Sequence, residues 1–371
     1  MHYRPLVRAQ GLKIHILGIC GTFMGGVALL ARELGYEVTG SDVNVYPPMS
    51  TMLETTGIAV VEGYSAEHLK PAPDLVVIGN ALSRGYEAVE YVLDHQIPYV
   101  SGPQWLGENL LHGRHVAAIS GTHGKTTTSS MLTWILECEG LNPGFLIGGV
   151  PFGFDGSARL GKGPFVVEAD EYDSAFFDKR SKFIHYRPRI LVLNNLEFDH
   201  GDIFRDLEDI SRSFSHLLRI VPSDGFVVCN GDDPHLKALP DAPWTRVINV
   251  GVGTENELRI TDFQEDADGS RFGLSWMGQS VMQVAWNMPG VFNARNLAMA
   301  TLGCVLAQNI HNQNSTLKGA NPFESAILPD FSACAGVKRR QEILHESEQT
   351  VVLSDFAHHP TAIAGALESL R

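Results

Sequence analysis

The chain has 371 residues, of which 44% are apolar, and its 42 acidic residues outnumber 28 lysines and arginines, giving a net charge of −14. This length exceeds that of one ordinary hydrophobic core and predicts two or three domains. The acidic balance disfavours a nucleic acid as a partner, so any bound phosphate must be held by local groups.

The cysteines and the apolar runs indicate the cellular setting. The five cysteines are widely spaced and form no C-x-x-C pair, which argues against a disulfide framework or a zinc site and favours a reducing cytoplasm. No apolar run is long enough to span a bilayer, and the N-terminus carries no export signal. We therefore expect a cytoplasmic protein without a membrane partner. The sequence indicates no oligomeric state.

The first predicted strand, Lys13 to Leu17, leads into a glycine-rich turn and a predicted helix, Val27 to Leu34. A dinucleotide fingerprint, G-x-G-x-x-G, would require glycine at Cys20, so the pattern disfavours NAD. The turn still permits close approach of a nucleotide diphosphate to a helix N-terminus, with Asp42 near the ribose. The alternative is a turn that serves only helix-on-strand packing.

A second glycine turn follows the apolar run Val116 to Ile119 and precedes a predicted helix, Thr128 to Leu136. Its pattern is Gly-x-x-Gly124-Lys125-Thr126, which is shorter than the usual G-x-x-x-x-G-K-[ST] loop. Backbone N–H groups at such a turn face an anion, the lysine adds a point charge and the threonine hydroxyl can hold Mg²⁺. We interpret it as a phosphate-binding loop; the alternative is an ordinary strand-to-helix turn.

Two predicted strands end in acidic and polar residues. Phe165 to Val167 precedes Glu168, Asp170, Glu171 and Asp173, and Arg189 to Leu193 precedes Asn194, Asn195, Glu197, Asp199 and His200. Open α/β sheets bind ligands at the carboxyl ends of their strands, and Mg²⁺ prefers oxygen ligands. Taken singly, each of these residues is more often a solvated charge in a loop, or a helix cap, than a metal ligand. Together they predict a metal site beside the phosphate loop.

The rest of the chain completes an α/β pattern. Short alternating runs between Leu258 and Trp286 predict a small antiparallel patch, followed by a helix over 294–306, a polar loop over 308–319 and a strand over 350–353. We predict a Rossmann-like N-terminal domain (1–112), a central P-loop α/β domain of ATPase type that carries the patch (113–335), and the incomplete start of a third α/β domain (336–371).

These motifs resemble those of the Mur ligase family, whose members form amide bonds with ATP during peptidoglycan precursor synthesis. The resemblance covers essentially the whole chain and is carried by the loop 121–126, by the acidic segments 168–173 and 195–200, and by 290–296, 336–340 and 355–360. Phe292 departs from the family pattern, because a histidine is common at that position.

The resemblance implies roles for single residues. It implies that Lys125, Glu168 and His200 act in catalysis and that Thr126, Glu168 and His200 hold Mg²⁺. The implied ATP contacts are Gly121, Thr122, His123, Gly124, Lys125, Thr126, Thr127, Asn293, Asn296, Arg340, Asp355 and His358. The implied UDP-sugar contacts are Gly18, Gly21, Thr22, Met24, Asp42, Ser83 and Arg84. Some members carry a carbamylated lysine near the metal; Lys179 and Lys182 lie nearby in sequence, and neither is assigned that role.

The resemblance also implies a reaction. Segments 18–26, 44–50, 173–185 and 194–200 look most like the members that join the tripeptide L-alanyl-γ-D-glutamyl-meso-diaminopimelate to UDP-N-acetylmuramate, using ATP and Mg²⁺, in peptidoglycan recycling. Members that attach L-alanine are the alternative. Two readings from other classes also stay open: a nucleotide-binding switch that ligates nothing, and a dehydrogenase built on the first glycine turn.

Overall fold

The computed structural model describes residues 11–151, 153–199, 201, 203–266, 269–312, 321–324, 326–334, 342–347, 350–357 and 359–368. The chain forms two compact units. Unit 1 contains the residues up to Arg114 together with Ser157–Leu160 and Asp170–Arg187, and unit 2 contains the remainder. The boundary after Arg114 lies close to the predicted domain boundary at residue 112. The inclusion of the two later segments in unit 1 was not predicted. The three-domain division remains a prediction.

The helices and strands are numbered in chain order across both units. The strands are β1 Lys13–Leu17, β2 Glu37–Asp42, β3 Ala59–Glu62, β4 Leu75–Ile78, β5 Tyr99–Ser101, β6 Val116–Ser120, β7 Gly144–Leu146, β8 Ala158–Arg159, β9 Phe165–Glu168, β10 Asp173–Ala175, β11 Asp178–Ser181, β12 Ile190–Leu193, β13 Phe226–Asn230, β14 Arg246–Gly251, β15 Leu258–Asp266, β16 Gly269–Trp276, β17 Gln279–Trp286, β18 Glu342–Glu346 and β19 Val351–Ser354. The helices are α1 Thr22–Glu33, α2 Met49–Thr55, α3 Glu87–Asp94, α4 Gly102–Leu106, α5 Lys125–Cys138, α6 Leu207–Arg219, α7 Pro234–Lys237, α8 Val291–His311 and α9 Pro360–Glu368. Within the described residues, no helix is both long and apolar enough to cross a bilayer.

Unit 1 is built on a parallel sheet with the strand order β3-β2-β1-β4-β5. Apart from Lys13, every residue of the neighbouring strands β1 and β4 is buried, as expected for strands covered on both faces. The order reverses between β1 and β4, and such a switch point opens a crevice at the carboxyl ends of the strands. The glycine turn that follows β1 lies at this point, so the predicted Rossmann-like fold is confirmed.

Unit 2 is built on a larger sheet, in which its strands follow the order β17-β16-β15-β14-β13-β12-β6-β9-β7. In this order, the neighbouring strands β7, β9, β6, β12, β13, β14 and β15 pair in parallel. The strands β15, β16 and β17 pair antiparallel. The predicted antiparallel patch is confirmed, but it continues the main sheet through β14 and β15. The carboxyl ends of β6, β9 and β12 therefore lie at one edge, where the phosphate loop begins.

Helix α8 is longer than predicted, because it runs from Val291 to His311. It packs against α5 and contributes heavily to the core of unit 2. The predicted polar loop is wrong as far as His311, since the helix continues through Gln308. Asn309 explains the difference: it is buried, and its amide donates to the carbonyls of Val305 and Pro322 at 2.8 and 3.3 Å. Residues 313–319 of the predicted loop lie outside the described part of the chain.

The last described segment is an antiparallel ribbon of β18 and β19 followed by α9. The strand predicted at 350–353 is found one residue later, as β19, and β18 was not predicted.

Candidate active site

The phosphate loop connects β6 to α5 through two glycines in the left-handed region. Gly121 has φ +135° and Gly124 has φ +76°, a backbone conformation that disfavours residues with a Cβ. A Cβ on Gly124 would also lie 2.8 Å from the side chains of both Asn194 and Asn296. Glycine is therefore required for conformation and for space. The loop delivers Lys125 to the first position of α5, where backbone N–H groups have no partner within the helix.

Two asparagines at the end of β12 hold the loop in place. Asn195 accepts a hydrogen bond from the His123 N–H at 2.7 Å and donates to the His123 carbonyl at 3.1 Å. Asn194 donates to the hydroxyl of Thr128 at 2.9 Å. These amides were grouped with the candidate metal ligands in the sequence; in the structure they brace the loop.

The lysine and the threonine of the loop occupy different positions. The Lys125 ammonium donates to the carbonyl of Gly121 at 2.7 Å. The Thr126 hydroxyl lies 3.0 and 3.1 Å from the two carboxylate oxygens of Glu168. Glu168 also accepts the N–H of Gly148 at 2.7 Å. The hydroxyl and the carboxylate form an all-oxygen donor set, which suits Mg²⁺. The third predicted ligand, His200, lies outside the described residues.

Two of the other predicted acidic ligands, Asp170 and Asp173, are engaged in ion pairs. Asp170 and Asp173 belong to unit 1. There Asp170 pairs with the buried ammonium of Lys182 at 2.8 Å, and Asp173 pairs with Lys179 at 2.5 Å. Glu168, by contrast, is bonded to the phosphate loop through the Thr126 hydroxyl. The two lysines thus balance the charges of Asp170 and Asp173.

A cavity of about 600 Å³ opens beside the loop in unit 2. It is lined by the loop, by the first turn of α8 and by α9. The predicted ATP residues on its wall are His123, Gly124, Thr127, Asn293, Asn296 and Asp355. Gly121, Thr122, Lys125 and Thr126 belong to the same loop without lining the cavity, whereas Arg340 and His358 lie outside the described residues. The cavity therefore brings together loop and α8 residues that are about 170 positions apart.

The ion pair between Arg295 and Asp232 on the cavity wall was not predicted from the sequence. The Arg295 guanidinium lies 3.0 Å from the Asp232 carboxylate, which also accepts the N–H groups of Val252 and Gly253 at 2.8 and 3.0 Å. Burial alone would raise the pKa of Asp232, but these donors and Arg295 hold that pKa below its usual value. The sequence signal for this pair was Asp232 and Asp233, which follow β13 as the other acidic segments follow the predicted strands 165–167 and 189–193.

The glycine turn of unit 1 is organised by Asp42. Gly18 has φ +82°, and its N–H donates to the carbonyl of Ser41 at 2.9 Å. One Asp42 oxygen accepts the N–H of Cys20 at 2.8 Å, and the other accepts the N–H of Asn44 at 2.9 Å. Asp42 thus shapes the turn, and a contact to the ribose remains a prediction.

The other predicted sugar contacts of unit 1 differ in exposure. Gly21 caps α1, which begins at Thr22, and the Met24 side chain is buried beside Gly102. Arg84 lies at the surface, and its guanidinium donates to both oxygens of Glu90.

The Arg84 guanidinium and the N–H of Gly85 lower the pKa of Glu90 to about 2. A contact of Arg84 to a sugar nucleotide remains a prediction, and it would require exchange of this ion pair. The Ser83 hydroxyl donates to the carbonyl of Arg84 at 3.3 Å.

Comparison with known proteins identifies the family. Residues 13–114 match the Mur ligase family catalytic domain, and residues 119–304 match the Mur ligase middle domain. The chain belongs to the Mur ligase family. It is 50% identical over 363 residues to the UDP-N-acetylmuramate–L-alanyl-γ-D-glutamyl-meso-2,6-diaminoheptandioate ligase of Escherichia coli, covering 97% of this chain and 76% of the relative. The Haemophilus influenzae ligase of the same name is 48% identical, covering 96% and 76%.

A second group of Mur ligases is more distant. The UDP-N-acetylmuramate–L-alanine ligase of Geotalea uraniireducens is 32% identical, covering 97% of this chain and 74% of the relative. Among solved structures, a murein peptide ligase from Psychrobacter arcticus is 44% identical with a TM-score of 0.80, covering 97% of this chain and 76% of that one. The sequence-based assignment to the Mur ligases is therefore confirmed.

Proposed function

We propose that the protein is an ATP-dependent ligase that joins L-alanyl-γ-D-glutamyl-meso-diaminopimelate to UDP-N-acetylmuramate during peptidoglycan recycling in the cytoplasm. The observation that carries the proposal is the identity of 50% and 48% to two ligases named for this tripeptide, against 32% to a ligase named for L-alanine. The lysine-bearing loop and the adjoining Thr126 and Glu168 supply the groups that such a reaction needs.

The reaction proceeds by activation of a carboxylate. The lactyl carboxylate of UDP-N-acetylmuramate attacks the γ-phosphorus of ATP, giving an acyl phosphate and ADP. The alanine amine of the tripeptide then attacks the acyl carbon, forms the amide and releases inorganic phosphate. Phosphoryl transfer of this kind depends mainly on positioning and on neutralising charge.

The residues of unit 2 divide this work. The loop N–H groups and Lys125 hold the β- and γ-phosphates, and Lys125 neutralises the charge that develops on transfer. Thr126 and Glu168, with His200, would hold a Mg²⁺, which would supply positive charge to offset that of the phosphate oxygens. Asn293 and Asn296 contact the nucleotide from α8, with Asp355, Arg340 and His358 on the last segment. In unit 1, the turn from Gly18 to Gly21 takes the diphosphate of the UDP-sugar.

An oxygen-labelling experiment tests this chemistry. The full-length protein is given UDP-N-acetylmuramate labelled with ¹⁸O in the lactyl carboxylate, together with ATP and the tripeptide. Because the acyl–oxygen bond breaks in the second step, one labelled oxygen should appear in each inorganic phosphate released. Ligation that leaves the phosphate unlabelled would exclude the acyl phosphate. Unlabelled phosphate without ligation would favour a nucleotide switch.

A further inference from the structure

Three side chains of unit 2 that have no metal role in the proposed mechanism converge beside the phosphate loop. They are His123 in the loop, Glu197 after β12, and His359 before α9. His123 Nε2 lies 3.5 Å from Glu197 Oε1, and His359 Nδ1 lies 3.6 Å from Glu197 Oε2. One ligand atom from each residue lies within 4.8 Å of the other two. Two imidazoles thus face one carboxylate.

The separations are too long for hydrogen bonds, whose usual N···O distance is about 2.7–3.2 Å. His123 Nε2 is buried and has no hydrogen-bond partner among the described residues. A buried polar atom without a partner requires an explanation, and a bound ion is one. Burial and the neighbouring His359 keep the pKa of His123 below its usual value. A neutral imidazole offers the lone pair of one ring nitrogen to a metal ion.

The surroundings of His359 orient its ring. Its Nε2 lies 3.2 Å from the carbonyl oxygen of Phe198, which can only accept, so Nε2 carries the hydrogen. Nδ1 then carries the lone pair; the N–H of Thr361 lies 3.3 Å from it, a long contact that a bound metal ion would replace. A metal-bound histidine commonly donates its other N–H to a backbone carbonyl in this way. The Thr361 hydroxyl also donates to Glu197 Oε2 at 2.6 Å, which fixes the carboxylate.

We propose that His123, Glu197 and His359 form a binding site for a transition-metal dication such as Zn²⁺. Zinc binds nitrogen and oxygen ligands at about 2.0–2.2 Å in a tetrahedron, which sets neighbouring ligands about 3.3–3.5 Å apart. The observed 3.5 and 3.6 Å separations match this spacing. Two imidazoles and a carboxylate favour zinc or cobalt over magnesium, and no cysteine is required.

The site differs in chemistry and consequence from the Thr126–Glu168 pair. That pair offers oxygen donors alone, whereas the new site offers two nitrogens. His123 and Glu197 also line the 600 Å³ cavity, so the fourth coordination position is open to water or to an oxygen of a bound ligand. An ion here would connect the phosphate loop to the segment that precedes α9.

Metal titration tests the proposal without an activity assay. The 371-residue chain, freed of metal, should take up one Zn²⁺ in competition with a chromophoric chelator, and excess Mg²⁺ should not displace it. Co²⁺ should give the visible absorption of a four-coordinate ion. His359→Ala and Glu197→Gln should each weaken Zn²⁺ binding by about tenfold or more. His216→Ala, which removes an exposed histidine from α6, should leave binding unchanged.

X-ray absorption and folding controls complete the test. The zinc edge of the wild-type complex should show two imidazoles and one carboxylate oxygen, and far-UV circular dichroism should match between metal-free wild type and variants. If Glu197→Gln fails to fold, His359→Ala and His359→Gln carry the comparison. Absence of Zn²⁺ binding in the wild type, or equal affinity in the His359 variants, would overturn the proposal.

Discussion

Replacing Lys125 with alanine is expected to reduce ADP formation by about 10³-fold or more, because the substitution removes the cation that neutralises the transferred phosphoryl group. Lys125 begins α5, and its ammonium bonds the carbonyl of Gly121 in the same loop. That bond holds the charge within the loop and contributes little to the core. ADP release with both substrates present measures the effect.

A matched substitution separates a local effect from a general one. Lys162→Ala removes an exposed lysine from unit 2 and should turn over at the wild-type rate. Thermal unfolding of Lys125→Ala should resemble that of the wild type, since the side chain is not part of the buried core. Wild-type turnover in Lys125→Ala would remove the loop from the mechanism.

Replacing Glu168 with glutamine is expected to raise the Mg²⁺ concentration needed for half-maximal ADP formation by about tenfold or more. The amide oxygen of glutamine can still accept the N–H of Gly148, so the local geometry is retained. The negative charge is lost, and Mg²⁺ prefers a carboxylate to a neutral amide. A titration of Mg²⁺ at saturating ATP measures the shift.

The control for Glu168 is a glutamate with no contact to the loop. Glu208→Gln changes an exposed side chain in α6 and should leave the Mg²⁺ dependence unaltered. An unchanged dependence in Glu168→Gln would show that Thr126 and Glu168 do not hold the ion.

Local patterns predicted the elements that carry the site. Strands β1 and β4 have the predicted bounds, because both are rich in apolar residues that are buried, although His15 interrupts the apolar residues of β1. The loop with Gly124, Lys125 and Thr126 was also found, since a left-handed glycine before a helix is a local requirement. The position of Glu168 beside the loop was predicted because this residue ends a buried strand at the same edge of the sheet.

Partners distant in sequence limited the rest. The Arg295–Asp232 pair joins residues 63 positions apart. Asp170 and Asp173 pair with lysines only 12 and 6 positions away, but those pairs depend on the β10–β11 hairpin, which was not predicted. The end of α8 was predicted too early, because the polar residue Asn309 suggested a loop. In the structure Asn309 is buried, and its amide group is hydrogen-bonded. His359 lies in the segment 355–360 that resembles a Mur ligase motif, but its approach to Glu197 depends on tertiary packing.

The identity of the acceptor tests the central claim most directly. ADP release by the full-length protein is measured with L-alanyl-γ-D-glutamyl-meso-diaminopimelate or with free L-alanine, each in the presence and absence of UDP-N-acetylmuramate. We predict rapid release with the tripeptide and the sugar nucleotide together, and little with either alone or with L-alanine. Preference for L-alanine, or ADP release that needs neither substrate, would contradict the account.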